Sequence, residues 1–104
     1  MQNTHRVILT AAALGDLEGI AQFIRQESPR NAAGVAEQIL DAIDSLALMP
    51  SQFRRVGKSR KRGSTIHVMV VRPFVVHYRV EDQPPAVFIL NIRHGSQRRP
   101  EHFE

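Results

Sequence analysis

Apolar positions recur along this chain with two different periods. Residues 5–9, HRVIL, form a short β-like run that ends at Thr10, a residue type suited to capping a helix. From Ala11 to about Gln26, Leu14, Leu17, Ala21 and Ile24 recur at helical spacing, with Ala13 and Ile20 widening the stripe. Ser28-Pro29 then restarts a helix, because serine caps and proline takes a first-turn position where its missing N–H costs nothing. The second helix carries Ala32, Val35, Ala36, Ile39, Ile43 and Leu46 on one face and stops at Pro50. With so short a link, the two helices are expected to form an antiparallel hairpin.

The period then changes. Residues 51–64, SQFRRVGKSRKRGS, show no repeat and read as a loop. Ile66, Val68 and Val70 alternate with Thr65, His67 and Met69, the spacing of a strand. After Arg72-Pro73, residues 74–80, FVVHYRV, alternate again, with Phe74, Val76, Tyr78 and Val80 on one face. EDQPP makes a turn, since paired prolines cannot continue a ladder. Residues 86–93 are apolar on both faces, which suits a central, doubly covered strand. The pattern predicts an α+β fold of order β-α-α-β-β-β, with a helical hairpin packed on a small, largely antiparallel sheet. At 104 residues and 42 % hydrophobic, the chain supports one domain, residues 1–104, without internal repeats.

Charge sharpens this outline. The net charge of +4 hides a segregation along the chain. Residues 1–50 hold three arginines against six carboxylates, whereas residues 51–80 hold eight Arg or Lys and no carboxylate. A solvated face explains a basic run, but a third of the chain without one acid also suits an acidic partner, either nucleic acid or an acidic protein segment. Cysteine is absent, which removes disulfide and thiolate chemistry and fits a reducing cytoplasm. No apolar run approaches a membrane span, and the start MQNTHRVILT lacks a signal-peptide pattern, so a cytoplasmic protein is expected.

Candidate chemistry gathers near the end. VFILNIRHGSQRRP, residues 87–100, runs from hydrocarbon into Arg93, His94, Arg98 and Arg99 around Gly95. Cutting RNA through its 2′-hydroxyl requires a base, an acid for the departing oxygen, and cations for the phosphate. His94 supplies a base or acid, the three arginines supply cations, and His77 and Tyr78 lie on the neighbouring strand. Those two point to opposite faces, so at most one joins His94. The five histidines lack paired spacing, and no metal or other cofactor is expected.

FVVHYRV and FILNIRHGSQRRP, together with Leu14-Gly15-Asp16-Leu17-Glu18-Gly19-Ile20, resemble three motifs of one family. These are a hydrophobic-VV-aromatic-YRV strand, a closing IL-x-V-L-H-G-x-x-R segment and an ADLEDI-like first helix. Across nearly its whole length the chain resembles the ParE branch of the RelE/ParE superfamily, the toxins of bacterial type II toxin–antitoxin modules. The resemblance implies a toxin that poisons DNA gyrase by binding, silenced by a ParD-like antitoxin whose acidic segment folds on it, in a hetero-oligomer that meets DNA only through the antitoxin. It implies target contact at Arg93, His94, Arg98 and Arg99. The expected antitoxin contacts are Phe23 and the basic Arg54, Arg55, Arg60 and Arg62. Phe23, on the border of its helix stripe, reads equally as a peripheral core residue.

Two departures separate the chain from the mRNA-cutting RelE members. Their arginine early in the third strand corresponds here to Val75, and their tail tyrosine to Phe103. The alternative function remains a ribosome-dependent endoribonuclease using His94, Arg93, Arg98 and Arg99. A second alternative is a small basic nucleic-acid-binding module built on RRVGKSRKR, residues 54–62, although it lacks interleaved aromatics and any visible helix-turn-helix.

Overall fold

In the computed structural model, which describes residues 4–58 and 63–95, the chain runs through β1 (Arg6–Leu9), α1 (Ala11–Glu27), α2 (Pro29–Asp44), a 3₁₀ turn (Ser45–Ala47), β2 (Arg54–Lys58), β3 (Ser64–Val71), β4 (Phe74–Asp82) and β5 (Pro85–His94). The five strands form one sheet in the order β1-β5-β4-β3-β2. β1 is parallel to β5 and every other pair is antiparallel. The expected α+β architecture is therefore present, with one strand more than the sequence announces.

The helix starts follow the sequence signals. Thr10 Oγ1 accepts the Ala13 N–H at 3.2 Å, capping α1. The Ser28 N–H closes α1 on the Ile24 carbonyl at 2.6 Å, and Pro29 opens α2. The buried face of α1 is Ala13, with Leu17, Ile20 and Ile24 packed against the core. Leu14, expected in that stripe, is exposed. It lies about 100° around the helix from Ala13, and the 13-17-20-24 row takes the sheet side. α2 gives up Ile39 and Ile43, and Leu46 follows from the 3₁₀ turn, all essentially inaccessible.

β2 lies in the stretch that reads as a loop. Its pairing to β3 matches Arg54 with Val68 and Arg55 with His67, then slips so that Gly57 faces Ile66. The bulge at Val56 breaks the alternation that would have betrayed a strand, and the arginines suit an edge that must repel other strands. Gly63, at φ +81°, turns the chain back into β3.

On β4 the expected face is the core face: Phe74, Val76, Tyr78 and Val80 are buried against the helices. On β3 that face belongs to Met69 and Val71, while Val70 is exposed. β5 is apolar on both sides and buried on both, with Ala86 beside Val87 and Asn91 beside Ile92 all largely inaccessible; the helices pack on the Val87 and Ile92 side. A bulge opposite the His77/Tyr78 step pairs Tyr78 with Ile89 and His77 with Asn91, leaving Leu90 as the extra residue. The strand thereby changes phase, so that Ile89 and Ile92, three apart, both enter the core. Leu90 is only half-buried.

Tyr78 fastens the sheet to the segment entering β2. Its hydroxyl donates to the Pro50 carbonyl at 2.8 Å, and its ring stacks on His67 at 5.3 Å between centroids. His67 Nδ1 lies 3.0 Å from the Phe53 carbonyl, whose oxygen can only accept, so Nδ1 carries the proton. On the opposite face the Arg79 guanidinium lies 4.6 Å from the Phe88 ring centroid, and its Nε donates to Glu81 at 2.9 Å. No helix among the described residues is long and apolar enough to cross a membrane.

Candidate functional site

The C-terminal end of β5 meets α1 and the β3–β4 turn at a groove of about 760 Å³. Its α1 wall is built from Gly15, Asp16, Gly19 and Phe23, and its sheet wall from Phe74, Ile92 and His94. Gly15, Gly19 and Phe23 are four residues apart, so they stack along one side of the helix. Nothing stands within 4 Å of where a Cβ on Gly15 or Gly19 would project. Two glycines thus hollow the helix surface, and Phe23, 64 % exposed, stands at the end of the hollow.

Two backbone contacts set the sheet side of this groove. The Ile92 N–H donates to Asp16 Oδ2 at 2.9 Å, tying β5 to α1. The Gly95 N–H donates to the Pro73 carbonyl at 2.7 Å, tying the end of β5 to the turn before β4. The glycine is needed for closeness: a Cβ at position 95 would come within 3.1 Å of that oxygen. His94 lies exposed between these anchors, its ring edge-on to Phe74 at 5.8 Å and 88°.

Of the expected target contacts, Arg93 and His94 both border the groove, but their side chains leave opposite faces of β5. His94 shares the helix face with Ile92 and Phe74. Arg93 leaves towards the face away from the helices, in register with Val75, the position where the resemblance places the nuclease arginine. The Arg93 Nε is buried and has no hydrogen-bond partner among the described residues. Arg98, Arg99 and Phe103 lie outside the described residues, as do Arg60 and Arg62.

The described members of the expected antitoxin set, Phe23, Arg54 and Arg55, do not form one patch. Arg54 and Arg55 are exposed on β2, three strands away from β5 and roughly 14 Å across the sheet. Phe23 instead shares the groove with His94, a pairing that sequence spacing does not reveal. Its large exposure decides between the two readings of this residue: it is not a core phenylalanine.

The acid–base candidates are dispersed as well. Tyr78 shares the His94 face, but it is four residues along β4 from Phe74, about 13 Å away. It is fully buried, and that burial pushes its hydroxyl up to about 12. His77 is buried on the other face, where its Nδ1 donates to Asn91 Oδ1 at 2.9 Å. Neither joins His94. Among the described residues no three His, Cys, Asp or Glu side chains converge as metal ligands. Asp16 and Asn91 were missed as partners because each meets a residue distant in sequence. The only local sign was Gly15 and Gly19 at helical spacing beside the acid.

Comparison with known proteins bears on the whole assembly. The model of the family described as ParE toxin of the type II toxin–antitoxin system parDE matches residues 7–99. The chain is 35 % identical over 92 residues to a protein named Toxin RelE2 from Caulobacter vibrioides, covering 88 % of this chain and 97 % of that one. Its fold is similar to that of the chromosomal ParDE toxin–antitoxin system from P. aeruginosa, with a TM-score of 0.68 and 22 % identity over 89 % of this chain and 98 % of the other. It is also similar to the archaeal RelE-RelB complex from Pyrococcus horikoshii OT3, with a TM-score of 0.66 and 14 % identity over 91 % and 99 % of the two chains. The paired glycines of α1, the β5 end and the surrounding sheet all fall within the matched span, and the chain belongs to the ParE toxin family of type II toxin–antitoxin systems, within the RelE/ParE superfamily.

Proposed function

We propose that this toxin acts by binding DNA gyrase rather than by breaking bonds itself, and that a ParD-like antitoxin neutralises it. The observation that carries the reading is the separation of His94 from His77 and Tyr78. General acid–base cleavage needs two proton-transferring groups around one scissile phosphate. Here Tyr78 is locked in the core to Pro50 and His77 is sequestered on the opposite face by Asn91. Val75, half-buried beside Arg93, supplies no cation where the nucleases carry one. What remains accessible is a shaped surface: the groove with exposed Phe23 and His94.

A second reading draws on the 35 % identity to a protein named RelE2 and on the grouping of Arg93 and Asn91 with His77 on the sheet face away from the helices. On that reading the toxin is a ribosome-dependent endoribonuclease. Induction without antitoxin separates the two. Gyrase poisoning produces filamentation and a DNA-damage response with ribosome-bound mRNA intact. Codon-positioned mRNA cleavage at low toxin levels would establish the nuclease instead.

A further inference from the structure

β1 is too short to flank the whole of β5. Its pairing stops with Leu9 opposite Ile89, and β5 continues through Ile92, Arg93 and His94 with no strand on that side. α1 takes over the edge. Thr10 offers its N–H at 3.2 Å and its hydroxyl at 2.7 Å to the Ile89 carbonyl. Six residues later Asp16 Oδ2 receives the Ile92 N–H at 2.9 Å. A carboxylate stands where a strand carbonyl would otherwise be, and a charged acceptor makes the stronger hydrogen bond. Across the strand, the Gly95 N–H grips the Pro73 carbonyl. Arg93 and His94 are thus held between two anchors, and Asp16 is the one supplied by a side chain.

We propose that Asp16 is a positioning residue for target recognition: by holding the Ile92 amide, it fixes where His94 and Arg93 stand at the groove. This rests on the reading of those two residues as target contacts. Asp16 itself need not touch the target. Removing its acceptor frees the end of β5 to shift while the core beneath, anchored by Val87 and Ile89, stays packed.

The test uses the full-length toxin with Asp16→Ala, Asp16→Asn and His94→Ala. Three properties are measured on each: amide hydrogen exchange at Ile92, antitoxin affinity together with melting, and the toxin level needed to arrest growth. In Asp16→Ala, Ile92 exchange should rise about tenfold, as loss of one charged hydrogen bond implies, and arrest should need correspondingly more toxin. Antitoxin affinity and melting should move little. Asp16→Asn keeps an acceptor oxygen and should restore exchange and arrest. Asp16→Ser, whose hydroxyl is too short to reach Ile92, replaces the alanine variant if that one does not fold.

Unchanged Ile92 exchange in Asp16→Ala overturns the proposal, as does faster exchange with full arrest. Parallel loss of arrest, antitoxin binding and melting without rescue by asparagine would make Asp16 merely structural, and also overturns it. Full arrest by His94→Ala would instead overturn the reading of the tip as a target contact. That result is distinguishable, because failure of the Asp16 role alone leaves His94→Ala non-toxic.

Discussion

Gly95 and Pro73 meet backbone to backbone, the N–H of one on the carbonyl of the other at 2.7 Å. The Gly95 backbone lies outside the left-handed region, so alanine is not forbidden there by conformation. It is opposed by space, since its Cβ would sit 3.1 Å from the Pro73 oxygen, a backbone atom that cannot swing aside. Gly95→Ala should therefore displace the end of β5 by a few tenths of an ångström, at a cost of about 1 kcal/mol. Melting should fall by only a few degrees, while growth arrest weakens disproportionately. Comparing melting with arrest on the same variant checks this. A variant with unchanged arrest would show that the exact placement of His94 is immaterial.

Tyr78 is the sole tyrosine in the chain, so its ionisation can be followed directly by ultraviolet absorbance. Burial raises its folded-state value to about 12 from an unfolded value of 10.0. The raised value favours the neutral phenol in the folded state, so its contribution to stability is complete below pH 10 and is lost as pH rises from there towards 12. At pH 10.5, where a free tyrosine is mostly ionised, the folded protein should hold Tyr78 largely as the phenol, and alkaline unfolding should release tyrosinate abruptly. Tyr78→Phe should cost about 0.5–1.5 kcal/mol through the lost bond to Pro50, without altering toxicity at matched protein levels. Loss of toxicity in a stable Tyr78→Phe chain would return Tyr78 to the acid–base candidates.

The bulge in β5 makes neighbouring residues energetically unequal. Ile89→Ala removes a fully buried side chain and should cost about 2–5 kcal/mol in chemical denaturation. Leu90→Ala, at the half-buried extra position, should cost less than about 2 kcal/mol. Equal losses would contradict the register.

Sequence periodicity located the helices and strands β3 to β5, and on β4 it also gave the core face, Phe74, Val76, Tyr78 and Val80, whereas on β3 the core face falls to Met69 and Val71 and Val70 is exposed. It failed where local order is broken by design. Val56 interrupts the β2 alternation, and the arginines around it read as a loop. The phase change at Leu90 makes Ile89 and Ile92 look like opposite faces when they share one. At the site, His94 and Arg93 were legible as a polar end to an apolar strand. Their divergence to opposite faces was implicit in the period of two. The meeting of Phe23 and Asp16 with the β5 end was not legible, because it depends on how α1 crosses the sheet.

Arg54 and Arg55 sit on an exposed edge strand far from the groove, so their contribution to partner binding should be electrostatic steering. Reversing both to glutamate should slow association with an acidic antitoxin and flatten its salt dependence, with stability changed by no more than about 0.5 kcal/mol. Stopped-flow association at low and high salt measures this. An unchanged rate at low salt would assign the basic edge to another role.

Purified components separate binding from cleavage. Wild-type toxin and His94→Ala are titrated into a gyrase supercoiling reaction and, in parallel, into ribosomes carrying a defined mRNA. Wild-type toxin should arrest gyrase, His94→Ala should lose that effect, and the mRNA should remain intact in both. Codon-phased cuts in the mRNA, with gyrase still supercoiling at the same toxin concentration, would contradict action by binding alone.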